Sequence, residues 1–134
     1  MFPWLFYMDT TFPFYVGFVD GASILSSNIA SPVWIIYSLS HEFIHIYGRF
    51  VGIATNKHTE YNGVIDLLDT SLHLGICHLD VFLASQLLVS QLNNCYRVCN
   101  PYLFIKFLLT RNLVRHFESI SFMHVPRNIT SDFL

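Results

Sequence analysis

The feature that most restricts the fold of this chain is a change of hydrophobic period near residue 54. Before it, three runs are built almost wholly of aromatic and β-branched residues: "FYVGFVDGAS" at 14–23, "SPVWIIYSLS" at 31–40 and "EFIHIYGRFVGI" at 42–53. Such side chains lose rotamer freedom in a helix and pack well on a pleated surface, so each run predicts a strand. After "ATNKHT", Tyr61, Val64, Ile65, Leu68 and Leu72 fall at i, i+3, i+4, i+7 and i+11, one face of a helix that ends at Gly75. "HLDVFLA" at 78–84 predicts a short strand, and "SQLLVSQLNN" a helix capped by Ser85. Pro101 marks the start of a helix through "NPYLFIKFLLTRNLVRHF", apolar on most of its circumference. "SISFMHVP" alternates as a strand does, and "NITSDFL" at 128–134 opens a last helix. The order is β-β-β-α-β-α-α-β-α. It predicts an α/β fold with a mixed sheet, three antiparallel strands followed by parallel ones, and helices on its faces.

The third strand decides a competing reading. His41, Glu42 and His45 in "SHEFIH" match the H-E-x-x-H pattern of zinc hydrolases. That pattern works on a helix, where residues four apart share a face and two imidazoles reach one ion. On a strand the two histidines stand about 13 Å apart, at roughly 3.3 Å per residue. A zinc hydrolase is therefore the third-ranked reading.

Composition narrows the function classes. The 134 residues suit one domain, and with 53% hydrophobic and 12% charged residues the chain has ample material for a core. Seven Lys and Arg against nine Asp and Glu give a formal charge of -2, which disfavours gripping nucleic acid chiefly by neutralising phosphates. The uncharged stretch from Gly21 to Ser40 is broken by Ser, Asn and Pro, so no membrane association is expected. The apolar start "MFPWLFYM" lacks a preceding basic residue and a small-residue cleavage site. Three cysteines with no C-x-x-C pair point to a reduced, intracellular setting, with cytoplasm and nucleus unresolved. No protein partner is deducible from these features.

Four local stretches carry a family resemblance. "FVDGAS" at 18–23 looks like a first strand with its catalytic aspartate, and "ATNKHTEYNGVIDLL" at 54–68 looks like the T-N-N-x-A-E-Y segment that opens a first helix. "DVFLASQLLVSQLNN" at 80–94 is similar to a strand ending in D-S-Q-L-V, and "FMHVPRNITSDFL" at 122–134 to H-V-P-R-x-x-N-x-x-A-D-x-L-A. Together, in this order, they resemble the reverse-transcriptase-like ribonuclease H domains of plant retroelement polyproteins. The resemblance implies a ribonuclease H-like domain over 14–134 with a truncated last helix, preceded by an extension at 1–13.

It also implies a function. Its catalytic and metal-binding carboxylates are Asp20, Glu60 and Asp132, holding a two-metal Mg²⁺ site that hydrolyses the RNA strand of an RNA/DNA hybrid. Asn56, Ser85 and Arg127 are the implied substrate contacts, and His124 belongs to the neighbourhood without a catalytic role. Read singly, each carboxylate has an ordinary use: Asp20 as a turn former, Glu60 beside a helix N-terminus, Asp132 in a cap. One implied ligand is absent, because Ala84-Ser85-Gln86 stands where the family has D-S-Q, and alanine has no oxygen for a metal. The leading expectation is a nucleic-acid-binding domain with ancestral or residual endonuclease action. The alternative is a catalytically inactive retroelement-derived fragment or binding domain.

Overall fold

The computed structural model describes residues 14–20, 33–38, 45–49 and 56–126. Strands β1 (Tyr15–Asp20), β2 (Val33–Ser38) and β3 (His45–Arg49) precede helix α1 (Asn56–His73). Strand β4 (His78–Leu83), helices α2 (Gln86–Leu92) and α3 (Pro101–Val114), and strand β5 (Ser119–His124) follow. The last helix expected from residue 128 lies outside the described residues, as does the extension at 1–13.

The five strands form one sheet in the order β3-β2-β1-β4-β5. β1 pairs antiparallel with β2, and β2 with β3, while β1–β4 and β4–β5 are parallel. The expected mixed α/β sheet is therefore present. His45, the last histidine of the zinc-like motif, opens β3 opposite Tyr37, so its backbone is that of a strand. His41 and Glu42 lie outside the described residues.

Period-2 alternation sorts the strand residues onto two faces. Val19, Trp34, Ile36, Leu79, Val81 and Leu83 join Tyr61, Val64, Leu67 and Leu68 of α1 in the larger core. Val16, Phe18, Ile35 and Tyr37 form a second cluster with Phe82, in which Phe18 stacks on Phe82 at 5.2 Å and meets Tyr37 edge-on at 5.8 Å. The seat of α1 on the sheet depends on Gly17. A Cβ added there would stand 2.8 Å from Leu67 Cδ2, so the missing side chain is what lets the helix approach β1.

Local chemistry sets the helix ends. Gly75 adopts φ 78° just beyond α1, a left-handed conformation that glycine takes without a steric penalty. Ser85 caps α2 by accepting the Leu88 N–H at 3.2 Å. Asn100 Oδ1 accepts from both Tyr102 N and Leu103 N, at 2.9 and 3.2 Å, with Pro101 filling the first helical position. Replacing Asn100 with alanine should therefore cost about 1 kcal/mol of stability, and replacing it with glycine a few tenths. Urea denaturation of the two variants checks this, with equal losses counting against the cap.

Candidate active site

The sheet brings several of the expected site positions to one edge. β1 ends at Asp20, and the parallel register pairs Val19 with Leu83, so the next residue of each strand line, Asp20 and Ala84, are neighbours. The Ala84 N–H donates to Val19 O at 3.4 Å, which extends the ladder one step beyond β4. On the far side of β4, Leu83 pairs with His124 and Val125 N donates to Leu83 O at 3.0 Å. Three parallel strands thus finish together, with Asp20, Ala84 and Val125 in a row. The carboxyl ends of parallel strands are where open α/β sheets bind ligands, because the chain turns away into loops and helices there.

Helix α1 brings Glu60 to the same edge. A narrow cleft between the first turns of α1 and α2 is lined by Lys57, Glu60, Tyr61, Ser85, Leu88 and Gln91. Glu60 thereby shares a cleft with Ser85, the residue that follows Ala84. It is the fifth residue of α1, just beyond the first turn, so the dipole-capping use open to it in sequence is not the one its position favours.

The contact between the helices is fixed by a buried hydrogen bond in which the Tyr61 hydroxyl donates to Gln91 Oε1 at 2.7 Å. Burial raises the Tyr61 phenol well above its ordinary range, and the Glu60 charge raises it further. The hydroxyl therefore remains a donor at all physiological pH. Gln91 is a positioning residue that sequence reasoning did not single out; its partner is 30 positions away and no local pattern marks the pair.

The remaining expected site residues divide as follows. Ser85 stands at the edge, but its oxygen already serves the α2 cap. Asn56 is the first residue of α1. His124 ends β5 and is exposed. Asp80 points to the opposite side from the buried Leu79 and Val81, where Ser121 Oγ donates to its Oδ1 at 2.7 Å, so it does not replace a carboxylate at position 84. Arg127 and Asp132 lie outside the described residues. Among the described residues, no group of three His, Cys, Asp or Glu side chains is placed to hold a metal ion. Ala84, the register neighbour of Asp20, carries no oxygen donor on its side chain, so the described edge offers few protein ligands to a pair of dications.

Comparison with known proteins shows the family to which this fold belongs. The model of the reverse transcriptase-like family matches residues 18–131, from within β1 to beyond β5. The chain belongs to that family. It is also 30% identical over 110 residues to ribonuclease HI of Halobacterium salinarum, an alignment covering 82% of this chain and 55% of that protein. This reverse transcriptase-like chain thus spans about half the length of that relative. The N-terminal RNase H domain of Rv2228c from Mycobacterium tuberculosis superposes with a TM-score of 0.78 at 26% identity, covering 87% of this chain and 90% of that one. LC11-RNase H1, solved with an RNA/DNA hybrid, gives a TM-score of 0.70 at 21% identity, with 88% and 89% covered, a likeness of fold. The ribonuclease H-like fold expected from the sequence is thereby shown.

Proposed function

We propose that this domain binds RNA/DNA hybrids across the edge formed by the ends of β1, β4 and β5, with residual Mg²⁺-dependent cleavage of the RNA strand. The observation that carries the reading is the juxtaposition of Asp20 with the β4 end and of Glu60 with Ser85, in a chain of this family. The name of its Halobacterium relative, ribonuclease HI, and the hybrid held by LC11-RNase H1 support the substrate class. With a formal charge of -2, the domain would recognise a hybrid by its shape and 2′-hydroxyls more than by broad phosphate neutralisation.

Asp20, Glu60 and Asp132 would hold the metal, with Asn56, Ser85 and Arg127 contacting the nucleic acid. Bound Mg²⁺ would supply activation of a water and stabilisation of the leaving oxygen. The chain's own part is to fix carboxylates at element ends and to seat the hybrid on the strand edge. Ala84 specifically favours a second reading, a binding domain without catalysis, since it removes an oxygen donor from the position next to Asp20.

Fluorescence anisotropy with a labelled hybrid and a DNA duplex of the same sequence tests binding, and gel analysis in Mg²⁺ or Mn²⁺ tests cleavage. The hybrid should bind at least several-fold more tightly, and any cleavage should vanish in Asp20→Asn while binding persists. Equal affinity for both duplexes would count against the substrate assignment. Cleavage that survives Asp20→Asn would remove the carboxylate site from the reading.

A further inference from the structure

Helix α3 presents an outward face that the other described elements leave open. On its inner side Leu103 and Thr110 are buried, with Phe107, Leu113 and Val114 packed against the core. Opposite them, Tyr102 is 72% exposed, Ile105 59%, Leu108 53% and Leu109 52%, with Phe104 at 38%. At typical side-chain areas these five groups leave about 500 Å² of apolar surface open, the size that marks an interaction site on a soluble protein.

Helix α3 itself also contributes no charge along the middle of this face. Both cations within α3 are directed into the molecule: Lys106 Nζ donates to Asn62 Oδ1 at 2.8 Å, and Arg111 Nη1 to Leu92 O at 3.2 Å. A surface arranged in this way suits neither phosphates nor the headgroups of a bilayer, where an interfacial helix carries accessible Lys and Arg.

Its pattern is self-complementary. Tyr102, Ile105, Leu109 and Asn112 are all exposed and spaced three, four and three apart, the spacing of a helix-pairing seam. Reversed about a point level with Phe107, the seam meets itself with Ile105 opposite Leu109 and Tyr102 opposite Asn112. Apolar groups then face apolar groups, and a phenol faces an amide at each end. We infer that two copies of this chain pair through α3, antiparallel about a two-fold axis. An isologous contact doubles the covered area to roughly 1,000 Å², where specific interfaces begin, and the Tyr–Asn contacts fix the register.

Sedimentation equilibrium tests this, run with reductant because Cys77, Cys95 and Cys99 are free and exposed. The parent should sediment at twice the 15.5 kDa of one chain. Ile105→Glu or Leu109→Lys alone should give a monomer with unchanged circular dichroism, whose melting temperature no longer rises with protein concentration as the parent's does. The lysine belongs at 109 because Leu109 borders Asp66 and Asp69, which would repel a glutamate. Both changes in one chain should restore a dimer that high salt dissociates, since each new glutamate then faces the partner's new lysine. A parent that is monomeric at high concentration, including one that instead binds phosphatidylcholine vesicles, overturns the proposal. So does a dimer indifferent to the single changes, and a double variant that stays monomeric overturns the antiparallel register.

Discussion

Leu67→Ala should lower the unfolding free energy by about 3–5 kcal/mol, the upper part of the range for a leucine deleted from a core. Leu67 is fully buried on α1, and its methyl groups fill the space above Gly17. Glycine has no side chain with which to close the cavity, and a strand paired on both sides has little freedom to move toward it. Gly17→Ala alone should also destabilise, because the new Cβ meets Leu67 at 2.8 Å. Combined with Leu67→Ala, the same methyl group partly fills the vacated space. The double variant should therefore be more stable than the sum of single losses predicts, with a coupling of about 0.5–3 kcal/mol. Urea denaturation of the four proteins measures it. A loss below about 1 kcal/mol for Leu67→Ala, or strict additivity, would mean that α1 does not rest on β1 through this pair.

The same pair shows where sequence reasoning stopped. The predicted stripe of α1 contains Tyr61, Val64 and Leu68, all buried, but it also contains Ile65 and Leu72, which are only half-buried. Leu67 and Ser71, both fully buried, fall outside it. The helix is clamped between the sheet and α3, so its buried sector is rotated toward 64, 67, 68 and 71, while Ile65 borders the groove beside α3. Ser71 tolerates burial because its hydroxyl donates to Leu67 O at 2.7 Å, a satisfaction that periodicity counts do not register. In α3 the difficulty was reversed: an almost uniformly apolar helix gives no periodicity from which to choose a buried side. The strands, by contrast, were legible throughout the described sheet, because aromatic and β-branched runs bounded by turn residues admit few other conformations.

For the candidate site, Asp20 and Glu60 were legible as element ends, since Asp20-Gly21 follows a strand-like run and Glu60 precedes a helical stripe. What no local pattern contains is the parallel register that makes Ala84 the lateral neighbour of Asp20, or the cleft that Glu60 and Ser85 line together. Those follow from the crossover through α1 that brings β4 beside β1 and from Tyr61 reaching Gln91, both long-range consequences of packing.

That register gives Ala84→Asp the largest expected effect on function. The Ala84 backbone is already held in the ladder by its bond to Val19 O, so a side chain added there starts from a fixed position beside the end of β1. The Ser85 cap and α2 follow immediately and need not move. Alteration of an outer contact to a metal ligand changes activity by about 10- to 100-fold, so restoring a direct oxygen donor should raise hybrid cleavage on the order of 100-fold or more. Two carboxylates in adjacent register also repel when no cation is present. The variant should therefore be less stable than the parent without divalent ions and recover on adding Mg²⁺, a thermal shift that the parent shows only weakly. Because the shift reads ion binding and the gel reads cleavage, the two measurements separate a site that lacks only its metal from one that lacks further groups. A stabilised but inactive variant would place the remaining defect in substrate contact, at Asn56, Ser85 or Arg127. A variant with neither shift nor cleavage would show that an oxygen at position 84 does not complete a site with Asp20, and would leave hybrid binding as the domain's only supported role.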